Sequence, residues 1–395
     1  MIRFLFVCIL AGLVVPAAAD PVIVVPPASE PIALAMPGPI GTLPPAPALV
    51  EREGAPIVTQ WVPRLAPDGT VDTLSGLLAA VLPKGDGKTP RQFAMKKAEK
   101  QASSFAFKDV SDRSLGLWDG DRPVLVYNHG DITNENVPKN DSRRTRGCFI
   151  HPVYGLDGEV LTDSFPKDHY HHHGIFWAWP HVQIEGKEYD LWMYNNIQQR
   201  FVRWLGRETG PVAAVLGVEN GWFVGDRKVM IERVWVRVYK VAGDARAIDF
   251  DLVLIPVERP VTLLGAPGKS YGGLNMRFAP RKESETVITV PEGRTKEDLP
   301  DTRLAWADLS APFGGKGVSG AAIFVHPSHP DYVPTWLTRH YGVLCVGWPG
   351  VRPKTFQPNE PIRLSYRIWI HKEVDHARLI NVATAYQAGL AAEWQ

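Results

Sequence analysis

This sequence lacks an excess of either charge. Its 395 residues hold 43 Lys and Arg against 42 Asp and Glu, a formal net charge of +1. Proteins that bind nucleic acid or anionic membranes show a basic excess, so neither partner is expected. Cysteine is scarce. Of the three, Cys8 lies in an N-terminal leader, and the spacing of Cys148 and Cys345 makes no zinc site. One disulfide or two separately buried thiols both suit the remaining pair. Long apolar runs are missing after residue 15, because 35 glycines, 35 prolines and the charges interrupt them. No later segment reaches the roughly 20 residues a membrane-spanning helix needs, so no membrane insertion is expected. The chain also lacks an HExxH helix, a Gly-rich phosphate loop and any internal repeat.

The leader reads as a secretory signal over residues 1–19. Arg3 supplies the positive end, Phe4 to Val15 the apolar stretch, and Ala17-Ala18-Ala19 a small-residue cleavage site before Asp20. The mature chain is therefore expected to be exported, to a periplasm or outside the cell. Residues 20–47 are rich in Pro and Ala with almost no charge, which reads as an extended linker. That leaves residues 48–395 as a single domain. Short apolar stretches punctuated by Gly, Pro, Asn and Asp run from there to about residue 372 and predict many strands.

The clearest is "VMIERVWVRVYKVAGDARAIDFDLVLI", an alternating hairpin with Val234, Val236, Val238, Ile248, Phe250, Leu252 and Leu254 on one face. Arg237 is expected to meet Asp249 or Asp251 across the strands as a surface ion pair of little worth. "IRLSYRIWIHK" alternates in the same way, and residues 374–390 have helical spacing. The fold class that follows is mainly β, a large antiparallel two-sheet sandwich with a C-terminal helix.

Chemistry concentrates in "SFPKDHYHHHGIFWAW", residues 164–179. If the segment is extended, His169, His171 and His173 share one side and Asp168, Tyr170 and His172 the other. Three uses compete. The histidines and Asp168 can be acid–base and hydrogen-bonding groups for a polar substrate. They can hold a divalent metal, His169 and His171 first, with a third ligand from elsewhere. They can also satisfy loop backbone at a strand start. No cofactor is predicted from the residues beyond that room for a divalent metal. Gly174 suits a close backbone approach.

Other polar groups stand at strand starts: His151 before Pro152, Arg277 in an apolar strand, and His326, His329, Arg339, His340 and Tyr341 in the segment 322–350. An arginine in an apolar strand is costly unless paired. It either meets a core carboxylate or clamps an anionic or hydroxyl-rich substrate. His329 and His340 read as loop polar residues. Most of the 13 tryptophans, Trp177, Trp179, Trp192, Trp306, Trp336 and Trp348 among them, are expected in the core.

The stretch "FIHPVYGLDGEVLTDSFPKDHYHHHGIFWAW", with "RAIDFDLVL", "GGLNMRFAP", "AIFVHPSHP" and "RHYGVL", resembles the signature of DUF6807. This is a bacterial family of unknown function whose members often carry the label "methane oxygenase". The resemblance runs from about residue 48 to 372. It implies a β-rich fold like the galactose mutarotase supersandwich and a setting of carbohydrate processing. It does not imply a membrane methane monooxygenase, since such a subunit is an integral membrane protein and no span follows the leader. The motif maps onto Asp168, His169, His171 and His172, its HP step onto His151, its strand arginine onto Arg277, and its Arg-x-Tyr-Gly element onto Arg339, Tyr341 and Gly342. Tyr170 replaces a preferred proline and His173 a preferred arginine. If position 173 binds an anion, that exchange makes the binding pH-sensitive.

Together these readings predict an exported carbohydrate-active protein, an enzyme by preference. Asp168, His169, His171 and His172 would be catalytic, and His151, Arg277, Arg339 and Tyr341 would bind a small-molecule or glycan substrate. Epimerisation, hydrolysis and elimination remain open. So do a His-ligated metal enzyme and a non-catalytic glycan-binding module.

Overall fold

The structure is a computed structural model that describes residues 20–39, 46–52 and 54–395. The expected signal over 1–19 lies outside the described residues, as does Cys8. Strand alternation sets the architecture. Two nine-stranded antiparallel sheets bury one face each in a shared core. The first, here the front sheet, runs in the order 302–303, 335–339, 343–347, 273–277, 175–178, 149–153, 122–128, 114–119, 105–111. The second, the middle sheet, holds the predicted hairpin as Arg227–Tyr239 and Ala245–Pro256, with Arg237 opposite Asp249. Val234, Val236, Val238, Ile248, Phe250, Leu252 and Leu254 enter the shared core as their alternation requires. Ile362, Leu364, Tyr366, Ile368 and Ile370 of the strand Ile362–Lys372 do the same. Trp177 of the front sheet meets Phe250 of the middle sheet at 5.2 Å between ring centroids.

A third sheet of seven strands corrects the linker reading. Within residues 20–47, Val22–Val25 and Ile32–Pro37 are full strands, and a third, Pro47–Val50, begins at its end. The first pairs with Arg91–Lys97 and with Glu393–Trp394, and the second with Val71–Leu82. Composition misled because proline flanks these strands while Ile23, Val25, Ile32 and Leu34 are fully buried. The apolar alternation, not the proline count, carried the information. This N-terminal sheet has its own apolar cluster and also packs on the middle sheet.

The helix His376–Leu390 starts with the Asp375 side chain accepting the Arg378 N–H at 2.8 Å. Its Val382 and Tyr386 pack on the middle sheet, and its Ala385 and Ala388 on the N-terminal sheet. Helix and sheet together cover the polar face of the hairpin. Arg237 is therefore 5% exposed, not at the surface, and bonds Asp249 at 3.1 Å. Asp249 also accepts from Tyr239 at 2.8 Å and from Arg367 at 2.7 Å. Cys148 and Cys345 are separately buried and free. No described helix is long and apolar enough to cross a membrane.

Candidate active site on the front sheet

The site grows from one row of the front sheet. Arg277 and Arg339 are both in register with Val343, so the two arginines lie two strands apart on the same face. Leu274 and Met276 point into the sandwich core, which turns Asn275 and Arg277 to the opposite face. The row continues through Gly174, whose carbonyl accepts the Arg277 N–H at 2.7 Å. Gly174 has a φ of 58°, and a Cβ there would stand 2.2 Å from the Ile150 carbonyl oxygen. Only glycine fits that approach.

The histidine segment is not extended before this point. The strand begins at Ile175. Upstream, the chain closes two turns: His169 N–H to the Pro166 carbonyl at 3.0 Å and His172 N–H to the His169 carbonyl at 2.9 Å. A third bond, Phe165 N–H to the His172 carbonyl at 3.0 Å, clamps the loop. Curling replaces the two-sided split with one cluster. His169 stacks on His172 at 4.7 Å between centroids, and His171 meets His169 at 5.5 Å and His172 at 4.6 Å, both edge-on. Tyr170 leaves the cluster and lies beneath the Arg143 guanidinium. His173 goes into the core among Phe149, Phe165 and Phe176, 1% exposed. Among the described residues its ring bonds Ser164 Oγ, at 3.2 Å, and it is buried away from any anion arriving from solvent.

Asp168 ties the loop to the sheet. Its carboxylate accepts from His169 Nδ1 at 2.8 Å and from Arg277 Nη2 at 2.9 Å through both oxygens. An ionised carboxylate has no proton to give, so His169 Nδ1 carries the proton of that bond and Nε2 is the ring nitrogen left for a substrate. Partial burial works against the charge on Asp168. The His169 bond and Arg277 outweigh it and hold the carboxyl below its usual range. Tyr341 sits between these groups, stacked on His169 at 5.2 Å and lying 4.9 Å from the Arg277 guanidinium carbon. Burial raises its hydroxyl pKa. Burial, reinforced by His169, lowers His171 to about 3, and burial with His171 pushes His172 well below the histidine range. Both rings are neutral near pH 7. Several polar atoms here are buried without a partner: His171 Nδ1, His172 Nδ1, and Nε and Nη1 of Arg277. Such atoms are rare in folded proteins and ask for a partner from outside the chain.

Of the residues the sequence singled out, Asp168, His169, His171, His172, Arg277 and Tyr341 come together directly. Arg339 lies at the rim, 3.6 Å from Asp298, which also holds His340 at 2.9 Å. His151 lies beside Gly174, where an added Cβ would stand 2.9 Å from the His151 Cβ. Its described hydrogen bond joins Nδ1 to Thr162 Oγ1 at 3.0 Å, and burial lowers its pKa to about 4. Trp192, expected with the core, is 5% exposed and belongs to it, its ring 6.0 Å from His171 and 4.8 Å from Tyr271. The sequence missed three neighbours, Tyr271, Asp163 and Arg281. Asp163 is half-buried near Arg277, and burial raises its carboxyl pKa. Arg281 donates to the Ala279 and His340 carbonyls, each at 2.8 Å. Asp163 and Arg281 lie five and four residues from Asp168 and Arg277, a proximity that was the one available signal.

The ring geometry bears on the metal alternative. His169 and His172 are parallel to within 2°, so their in-plane lone pairs run side by side and do not converge. His169 Nδ1 is engaged by Asp168. Among the described residues, no group of three His, Cys, Asp or Glu is arranged to hold a metal ion.

The buried histidines also set a pH response. His151, His171 and His329 have pKa values lowered by burial to about 4, 3 and 4. The unfolded chain takes up these protons near the ordinary value of about 6.5. Their contribution to stability is whole above that value and is lost as pH falls toward the folded values. The urea midpoint is expected to be lower at pH 5 than at pH 7; an unchanged or higher midpoint would contradict this.

A family model described as "Family of unknown function (DUF6807)" matches residues 115–384. That span holds all the site residues and leaves out the N-terminal sheet up to residue 97. No curated protein matches. Among solved structures, a chain described as a "putative mutarotase (YeaD) from Salmonella typhimurium" aligns at 10% identity over 70% of this chain and 96% of that one, with a TM-score of 0.31. The fold given above rests on the strand pairings and not on this likeness.

Proposed function

The chain belongs to the DUF6807 family, of unknown function, and we propose that it is an exported carbohydrate-active enzyme working by acid–base chemistry on the front sheet. One observation carries the reading: Asp168 is bonded at once to His169 and to Arg277. The carboxylate orients an imidazole, and the arginine fixes the carboxylate, which is how a general base is built. His169 Nε2 takes the proton from a sugar hydroxyl or ring carbon. Arg277 and Arg339 receive polar oxygens of the substrate. Neutral His171 and His172 add hydrogen bonds, and the partly exposed Tyr341 and Tyr271 offer the aromatic surface that sugar rings pack against. The same base serves epimerisation, hydrolysis or elimination, and the product tells which.

The test is a saccharide screen followed by proton NMR, with the wild type beside a boiled control. Conversion of at least one sugar is expected. Binding without conversion would make the protein a glycan-binding module. Export rests on the leader alone. The exported chain should begin at Asp20, and an intact Met1 in that fraction would contradict it.

A further inference from the structure

A groove of about 900 Å³ opens where the N-terminal sheet meets the hairpin turn 240–244 and Arg378 of the helix. Its walls are mostly apolar. Ile57, Val58 and Val81 are partly open there, and Val241 is exposed. A volume of that order suits a small organic molecule. Beside it lies a narrow pocket of about 30 Å³. Pro31, Val81, Lys240 and Ala242 line both, so the groove leads into the pocket.

Arg367 stands in the wall of the narrow pocket, 6% exposed, with its guanidinium over the Tyr386 ring at 4.5 Å. Its Nε donates to Asp249 at 2.7 Å. Its two Nη groups bond no described acceptor, and they are not closed off from the pocket as Arg237 Nε is from solvent. Trp369 and Tyr386 share that wall, and neither the indole N–H nor the hydroxyl has a described acceptor. Charge points the same way. Asp249 is shared by Arg367 and Arg237, and Asp251 is taken by Arg363. The carboxylates in the pocket wall, Glu30 and Asp244, are both bonded to Arg378. Lys240 offsets the second of them and has no described ion pair of its own. One positive charge remains, on a guanidinium with free donors at the end of an apolar groove.

We propose that groove and pocket form a second binding site, separate from the front sheet, for an aliphatic monocarboxylate of fatty-acid type. Its carboxylate takes charge-assisted hydrogen bonds from Arg367 and Lys240. Its chain lies along Ile57, Val58 and Val81, out of water. A single negative charge matches the single unmatched arginine.

Isothermal titration calorimetry of the whole chain with sodium octanoate tests it. Saturable binding of one octanoate per chain is expected. 1-Octanol keeps the chain without the charge, and sodium acetate the charge without the chain. Each should bind at least about tenfold more weakly, since each lacks one of the two contributions. Arg367→Gln should weaken octanoate by about tenfold or more, the worth of a hydrogen bond to a charged group. Because that residue is buried, two variants at partly exposed positions accompany it. Lys240→Gln removes a charge without breaking a described ion pair, and Ala242→Phe fills the junction of groove and pocket. Both should weaken binding, while His169→Ala should leave it unchanged. No saturable heat, equal binding of octanol or acetate, full affinity in any of the three groove variants, or loss of binding in His169→Ala would each overturn the proposal. None of these results decides whether the front sheet is catalytic.

Discussion

Replacing His169 by alanine is expected to lower kcat/KM about 10²- to 10⁴-fold, the usual worth of a positioned acid–base group. The ring is well placed for this role and poorly placed for a structural one. Its side chain is 35% exposed, whereas His172 and His173 are buried. The loop is closed by backbone bonds that the substitution leaves in place. Circular dichroism and the urea midpoint should therefore stay close to wild type while turnover falls. His171 cannot replace it, because its low pKa makes it a weak base. A His169→Ala enzyme that keeps its activity to within a few-fold would place the chemistry elsewhere.

Eight residues further on, the same stretch is structural. Trp177→Ala is expected to cost about 3–5 kcal/mol, the range for removing a large aromatic side chain from a core. Trp177 is fully buried and rests on Phe250 across the two sheets. Its neighbours are held by ladder bonds to Gly273–Arg277, so the backbone has little freedom to collapse into the void. Urea denaturation measures the loss. A change below about 1 kcal/mol, the size of a minor core trimming, would mean that the sheets do not close here as described.

Period-two alternation was the signal that carried furthest from the sequence. It placed the hairpin 227–256 and the strand 362–372 correctly, including which side chains enter the core, because a strand with one buried face must alternate. It could not tell that the hairpin's polar face is also covered, since Arg237 and Asp249 look the same in sequence whether water or another sheet lies above them. The segment 22–37 shows the opposite failure. Its prolines dominated the composition, yet they flank strands whose Ile23, Val25, Ile32 and Leu34 are buried. At the site, residue types were informative and local geometry was not. Asp168, His169, His171, His172, Arg277 and Tyr341 were legible as chemistry-bearing groups. The turns that gather three imidazoles on one side depend on backbone bonds such as His172 to His169, which no periodicity encodes. Asp163, Tyr271 and Arg281 join only through tertiary packing.

The central claim is that Asp168, His169 and Arg277 act as one unit. A double-mutant cycle on kcat/KM with Asp168→Asn, Arg277→Gln and the pair together tests it most directly. If Arg277 works by holding Asp168 for His169, either single change removes most of the function and the double variant is hardly worse than the more damaging single. Two losses that simply multiply would show independent groups, and would contradict the account.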